Sequence, residues 1–75
     1  MKISVGVGSF ADKYCKQGNY DVELPNKSTI TDAIRAIGLP NDIVGIAIVN
    51  GIAVRKDFIL NDKDVIILHP PIVGG

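Results

Sequence analysis

The sequence predicts an α+β fold in which one helix covers one face of a five-stranded sheet. Three observations lead to this prediction. Twelve Ile and eight Val make up 20 of the 75 residues, and these β-branched side chains suit strands better than helices. Only one segment repeats its apolar residues with helical spacing. Two strand-like segments precede it and three follow it, so the predicted order is strand, strand, helix, strand, strand, strand.

Aliphatic residues at alternate positions predict a first strand over residues 2–8. A polar loop, residues 10–19, separates it from a second alternating stretch, residues 20–24, which ends where Pro25 removes a backbone donor. These two strands are expected to form an antiparallel hairpin.

The single predicted helix lies between Thr29 and Gly38. Thr29 and Asp32 have the spacing of a capping box, with Asp as a shorter substitute for Glu, and Gly38 is placed to end the helix. One apolar stripe falls at i, i+3, i+4 and i+7 and consists of Ile30, Ala33, Ile34 and Ile37. Since so short a helix is not stable alone, Ile34 is expected to be central to the core.

An Asn-Gly turn predicts a second hairpin after the helix. Asn50 and Gly51 tolerate the positive φ angles of a type I′ turn, and they separate two apolar strands, residues 46–49 and 52–55. A continuous apolar run over residues 65–69 predicts the last strand.

One face of this sheet has no helix to cover it. The two-residue turn sets Ile46 opposite Arg55, which is expected to point to water. By alternation, the residues predicted to share the uncovered face are Ile46, Ile48, Ala53, Arg55, Ile67 and His69. An uncovered aliphatic patch on a small protein usually marks a partner surface, so we predict that these residues bind a partner.

Size and charge limit the classes of function. Seventy-five residues form one small domain, residues 1–75, whose thin core leaves little room for a walled substrate pocket. Eight Lys and Arg balance eight Asp and Glu, so there is no excess positive charge for nucleic acid. The first residues lack the apolar run of a signal peptide. We therefore expect a cytoplasmic protein with no membrane or nucleic-acid partner, and not a self-sufficient enzyme.

Three features suggest chemistry, but each has a simpler interpretation that we favour. Residues 6–11 match the dinucleotide fingerprint G-x-G-x-x-A, yet the helix and parallel return strand that the motif needs are not predicted. His69 is the only imidazole and fits an exposed strand end better than a catalytic site. Cys15, the only cysteine, fits an unreactive loop thiol better than a sulfur acceptor. No metal site or stably bound cofactor is expected.

The end of the sequence carries the clearest functional signal. Pro70 and Pro71 stiffen the chain after the last strand, and Gly74 and Gly75 have no side chains. We predict a flexible tail over residues 70–75, thin enough to enter a narrow active site on another protein. The α-carboxylate of Gly75 is the candidate reactive group.

Three segments carry a resemblance to a known family. They are Val49-Asn50-Gly51 in the hairpin, Leu60-Asn61-Asp62-Lys63-Asp64 before the last strand, and Pro70-Pro71-Ile72-Val73-Gly74-Gly75 at the end. Together they resemble the ubiquitin-like β-grasp sulfur carriers, which include the small subunit of molybdopterin synthase and the thiamine-biosynthesis sulfur carrier. The resemblance covers essentially the whole chain, although Lys63 stands where the family often has glycine. It implies a β-grasp fold with a mixed five-stranded sheet.

The resemblance also implies a carrier that is not itself an enzyme. In this family the terminal glycine, here Gly75, is adenylated by an ATP-dependent enzyme of the ubiquitin-activating type and becomes a thiocarboxylate. ATP would thus be used by the partner. The thiocarboxylate donates sulfur to the nascent molybdenum or tungsten cofactor. The proline pair resembles the molybdopterin branch, in which the tail inserts into the large synthase subunit, here Pro70, Pro71, Ile72, Val73 and Gly74.

Three alternatives stay open. The sulfur could go to a thiazole synthase in thiamine biosynthesis. The chain could be a ubiquitin-like modifier, in which Gly75 forms an isopeptide bond with a lysine. It could also be a plain binding module that uses only the uncovered face.

Overall fold

In the described part of the chain, five strands form one mixed sheet with a single α-helix on one face. The computed structural model describes residues 1–72. In chain order its elements are β1 (Lys2–Val7), β2 (Gly18–Glu23), α1 (Ile30–Ala36), β3 (Ile46–Val49), β4 (Ile52–Val54) and β5 (Val65–His69). The sheet order is β2-β1-β5-β3-β4, in which β1 and β5 are parallel and the other neighbours antiparallel. The predicted α+β fold and the order of its elements are confirmed.

The strands of the first hairpin differ from their predicted bounds, since β1 ends at Val7 rather than Gly8 and β2 ends at Glu23 rather than Leu24. β2 begins at Gly18 rather than at Tyr20, because Gly18 already pairs with Val7 at the end of β1. Glycine is typical of turns, so sequence pattern alone does not assign it to a strand. In the connecting loop, whose predicted character is polar and mixed, Ala11 is fully buried.

The helix begins and ends as predicted. The Thr29 N–H donates to the Asp32 carboxylate at 2.9 Å, and the Asp32 N–H donates to the Thr29 hydroxyl at 3.4 Å, which completes the capping box. After the helix, Gly38 adopts a φ of 83°. The N–H groups of Gly38 and Leu39 donate to carbonyl oxygens of the last turn at 3.0 and 3.2 Å, the two bonds of a Schellman motif.

The core lies between α1 and the face of the sheet that α1 covers. Ile34 is fully buried, whereas Ile37, the last residue of the helical stripe, is only half-buried. The buried hydrophobic residues are Ile3, Val5, Val7, Ala11, Ile30, Ala33, Ile34, Leu39, Val44, Ala47, Val49, Leu60, Ile66 and Leu68. Every strand except β2 and β4 contributes to this set, because these two are the edges of the sheet.

β4 ends at Val54, one residue earlier than predicted. Beyond Val54 the chain turns toward the N-terminus of α1. There the carbonyl oxygens of Lys56 and Phe58 accept hydrogen bonds from N–H groups of the first helical turn at 3.1 and 3.2 Å. The expected pairing of Ile46 with Arg55 is therefore not part of the observed ladder, and Ile46 lies opposite His69 on β5.

A buried carboxylate joins the Asn-Gly turn to the turn before β5. Asp64 is 6% exposed, and its side chain accepts hydrogen bonds from Asn50 Nδ2 at 3.0 Å and from the Asn61 N–H at 2.8 Å. Asn50 Oδ1 in turn accepts from the Val65 N–H at 3.0 Å. Lys63 has a φ of 69°, a backbone conformation that favours glycine. This explains why the sulfur carriers that the sequence resembles often have glycine at this position.

Removing this carboxylate is expected to destabilise the fold. Asp64→Ala leaves the Asn50 amide and the Asn61 N–H without their acceptor, so we expect the free energy of unfolding to fall by about 1 to 3 kcal/mol. Chemical denaturation measures this difference. Asp57→Ala, which removes an exposed carboxylate, is the matched control and should stay within about 0.5 kcal/mol of the parent. Identical unfolding curves for the two variants would contradict the role of Asp64.

Candidate functional site

Three neighbouring strands present aliphatic side chains on the sheet face opposite the helix. Ile66 and Leu68 of β5 are buried, whereas Ile67 between them is 45% exposed. Ile48 of β3 lies opposite both Ile67 and Ala53, so the pattern continues across β3 and β4. We define the open face as Ile46, Ile48, Ala53, Val65, Ile67 and His69. Arg55 is exposed directly after β4 and lines a groove together with Ile46 and Ala53.

The structure thus places five of the six predicted face residues on the open face, whereas Arg55 follows the end of β4 and lines the adjoining groove. Their role in binding a partner stays a prediction. Sequence alternation did not single out Val65, which is 49% exposed and belongs to the same face. The signal was present, since Val65 stands two residues before Ile67 in the same strand.

The remaining two strands give the same side of the sheet a polar margin. Ser4 and Gly6 lie between the buried residues of β1, and their partners on β2 are Asp21 and Asn19. The aliphatic patch over β5, β3 and β4 is therefore bounded by polar side chains on its β2 side. Such an arrangement, an apolar centre with a polar rim, is typical of protein interfaces.

The tail leaves β5 beside the open face. Pro70, Pro71 and Ile72 follow the strand and are exposed, Ile72 to 84%. A groove connects the tail to the face and is lined by Ile46, Ile48, His69, Pro70, Pro71 and Ile72. The further residues predicted to act in the tail lie outside the described residues, namely Val73, Gly74 and Gly75. Sequence pattern also gave no hint of Gly45, whose N–H donates to the His69 carbonyl oxygen at 2.9 Å.

The residues that suggested other chemistry are not arranged for it within residues 1–72. Residues 6–11 include the end of β1 and a short 3-10 helix, Ser9–Ala11, and β2 returns antiparallel, so the setting of a dinucleotide fingerprint is not formed. Over the same range, no group of three or more His, Cys, Asp or Glu side chains is placed to hold a metal ion. Nor does any helix in the described part of the chain have the length and apolar character needed to span a membrane.

Cys15 packs against the core, although the sequence places it in a loop. It is half-buried against the core cluster, next to Tyr20. The Tyr20 hydroxyl donates to the Lys16 carbonyl oxygen. Desolvation raises the pKa of the Tyr20 phenol, and the neighbouring Cys15 thiol raises it further. These contacts hold the loop after β1 against the start of β2.

Comparison with known proteins assigns this architecture to a family. The model of Mut7-C ubiquitin matches residues 6–73, a range that includes the last two residues of β1 and every later element. The chain belongs to the Mut7-C ubiquitin family. No curated protein matches the sequence.

Solved structures share the fold of this Mut7-C ubiquitin domain. A Pyrococcus furiosus protein assigned as molybdopterin converting factor, subunit 1, superposes with a TM-score of 0.76 at 24% identity, over 95% of this chain and 98% of that chain. Small archaeal modifier protein 1 from Haloferax volcanii superposes with a TM-score of 0.72 at 19% identity, over 100% of both chains. A second structure of that modifier gives 0.75 at 16% identity, over 95% of this chain and 98% of that chain. The ubiquitin-like β-grasp fold implied by the sequence resemblance is confirmed.

Proposed function

We propose that this chain is a sulfur carrier that acts in molybdopterin biosynthesis in the cytoplasm. An ATP-dependent activating enzyme adenylates the α-carboxylate of Gly75, which is then converted to a thiocarboxylate. The tail delivers this sulfur inside the large subunit of molybdopterin synthase. The catalytic groups and ATP belong to these partners, and the chain itself binds no cofactor stably.

One observation carries this proposal, namely the position of the tail next to the aliphatic part of the open face. Pro70 and Pro71 leave β5 directly after His69, and they share a groove with Ile46 and Ile48. A partner that covers the open face is therefore in contact with the beginning of the tail. Docking and delivery use one continuous surface, as a carrier requires when its reactive group must reach another protein's active site.

Adenylation is needed because a carboxylate is a poor acyl donor. A carboxylate oxygen of Gly75 attacks the α-phosphorus of ATP, and pyrophosphate leaves. A hydrosulfide donor then attacks the carbonyl carbon, so that a C–S bond forms while AMP leaves with the oxygen that joined it to the carbonyl. The product retains a nucleophilic sulfur, and neither step needs an oxidant or a reductant.

Two alternatives to this function remain, and a specific observation favours one of them. The Pyrococcus furiosus protein with the same fold is assigned as molybdopterin converting factor, subunit 1, and the Pro70-Pro71 pair resembles the same branch, so we favour that branch. The second candidate is a ubiquitin-like modifier, which the modifier protein of Haloferax volcanii supports by its shared fold. A thiazole synthase as sulfur acceptor is the third.

Intact-mass spectrometry tests the proposal. The mass of the purified chain first verifies that Gly75 carries a free carboxylate. With an activating enzyme, ATP and sulfide, the chain should gain the mass difference between one sulfur and one oxygen, and the large synthase subunit with its pterin precursor should reverse this gain. Reversal by thiazole synthase alone would place the chain in the thiamine branch. Lysine conjugates without a sulfur-loaded form would favour the modifier, and an unchanged mass throughout would overturn all three.

The open face should provide the docking surface for both partners. Ile48→Asp and Ile67→Asp each place a charge where it must be desolvated in the interface, so we expect binding to weaken at least about 30-fold while the domain stays folded. Isothermal titration measures binding, and circular dichroism checks the fold.

Ile52→Asp is the matched control for these two variants. Ile52 is 68% exposed on the same hairpin, but it lies opposite the buried Val49 and so belongs to the other side of the sheet. We expect it to bind as the parent does. If Ile48→Asp unfolds the domain while binding per folded molecule is unchanged, the docking role of this face is wrong.

A further inference from the structure

The beginning of the tail lies directly against the backbone of Gly45. A methyl group added at Gly45 would stand 2.7 Å from the Pro71 nitrogen and 3.0 Å from the Pro70 carbonyl carbon, and closer still to the Pro71 Cα. All three are backbone atoms, so rotation of a side chain cannot relieve the clash. The segment Pro70-Pro71 or Gly45 itself would have to move.

Backbone conformation does not account for glycine at this position. Within residues 1–72, the glycines in the left-handed region are Gly18, Gly38 and Gly51, and Gly45 is not among them. The Gly45 N–H donates to the His69 carbonyl oxygen at 2.9 Å, next to Ile46 and His69, which form the last pair of the β3–β5 ladder. Glycine is therefore required because the tail passes close to this residue. Any side chain at position 45 would occupy the space that Pro71 fills.

We propose that Gly45 is a positioning residue that sets the direction in which the tail leaves the sheet. This inference rests on the proposed function, since it assigns Gly45 a part in delivering Gly75. The hydrogen bond to His69 holds the end of β5, and the contact with Pro71 holds the chain two residues later. Two consecutive prolines, whose φ angles are fixed, pass this orientation on to the following residues.

The geometry makes delivery sensitive to this contact. Four residues beyond Pro71 reach at most roughly 14 Å when fully extended, so a change of direction at Pro71 moves the end of the chain by several times the displacement at its start. A misplacement of about 1 Å at a reacting atom can cost roughly a hundredfold in rate. Gly45 thus acts on the reaction through the tail and not by contact with a substrate.

Gly45→Ala tests the proposal, with Gly8→Ala as the matched control. A Cβ at Gly8 meets only the Phe10 ring, at an ordinary 3.8 Å, so the same chemical change should move nothing. The first measurement uses NMR and needs no partner. The parent and Gly8→Ala should show nuclear Overhauser contacts between residue 45 and Pro71, whereas Gly45→Ala should lose them, with shift changes confined to residues 44–46 and 69–75.

The second measurement is sulfur loading by the activating enzyme at varied carrier concentration. For Gly45→Ala we expect kcat to fall at least about tenfold while KM changes less than about twofold, because the open face still docks. A merely structural defect would instead lower the fraction of folded, active carrier, and it would raise the apparent KM while the kcat of the activating enzyme stays unchanged.

A second variant covers the case in which Gly45→Ala does not fold. Pro70→Gly combined with Pro71→Gly changes only exposed residues, removes the stiffness that transmits the orientation, and should produce the same fall in kcat. If a variant folds and its kcat equals that of the parent, the inference is wrong. If the parent itself is never loaded, the proposed function fails instead, and the contact between Gly45 and Pro71 remains testable by NMR alone.

Discussion

Chains that end at Gly74, or that carry one alanine after Gly75, are expected to lose sulfur loading while they keep their affinity for the activating enzyme. Each change moves the terminal carboxylate by about 3.3 to 3.6 Å along an extended chain. Because a misplacement of about 1 Å can cost roughly a hundredfold, loading should fall by at least that factor. The open face is untouched, so docking through Ile48 and Ile67 should persist.

Two assays on the same three chains separate binding from chemistry. Thiocarboxylate formation is followed by intact mass, and affinity is followed by titration with the activating enzyme. The chain ending at Gly75 is the reference for both. Equal sulfur loading of all three chains would show that the terminus is not the carrier site, and a binding module that uses only the open face would then explain the molecule better.

Much of this fold could be predicted because its signals are local. The capping box of Thr29 and Asp32 and the glycine at Gly38 fix the limits of the helix through backbone hydrogen bonds within a few residues. Asn50 and Gly51 both take positive φ, as a type I′ turn requires, and this sets the register that places Ile48 opposite Ala53. Once that register is known, alternation determines which side chains lie on the open face.

The features that sequence pattern missed all depend on contacts between distant segments. β2 begins at Gly18 because β1 offers it a partner, and β4 ends at Val54 because the chain beyond it bonds to the first turn of α1. Gly45 stands in an apolar stretch, and its close approach to Pro71 depends on how β3 and β5 pair. The residue pattern within β3 or within β5 does not show how these two strands pair.

Two of the segments that carried the family resemblance have a structural role that the resemblance alone did not reveal. Asn50 in the hairpin and Asp64 before β5 are joined by a hydrogen bond of 3.0 Å. This bond ties the turn of the β3–β4 hairpin to the start of the strand that carries the tail. These two residues therefore help to hold β5 in place, whereas the third segment, the tail, is the one to which the proposed function assigns the chemistry.

The stability of the domain should depend most on the helix stripe, and Ile34→Ala is the variant that shows it. Ile34 is fully buried between α1 and the sheet, so truncation removes apolar contacts and leaves a cavity that the surroundings fill only in part. We expect a loss of about 2 to 5 kcal/mol in the free energy of unfolding. Small domains have roughly 5 to 15 kcal/mol in total, so this single change removes a large share.

Equilibrium denaturation of Ile34→Ala and Ile72→Ala shows whether the loss of stability comes from the burial of the side chain or from the replacement of isoleucine by alanine as such. Both variants lose the same atoms, but Ile72 is 84% exposed and lies beyond β5, so its truncation should change stability by less than about 0.5 kcal/mol. Because Ile34 is on the helix side and the open face is on the other, the folded fraction of Ile34→Ala should still bind the activating enzyme with parent affinity. An unfolding curve of Ile34→Ala that coincides with that of the parent would contradict the packing of α1 against the sheet.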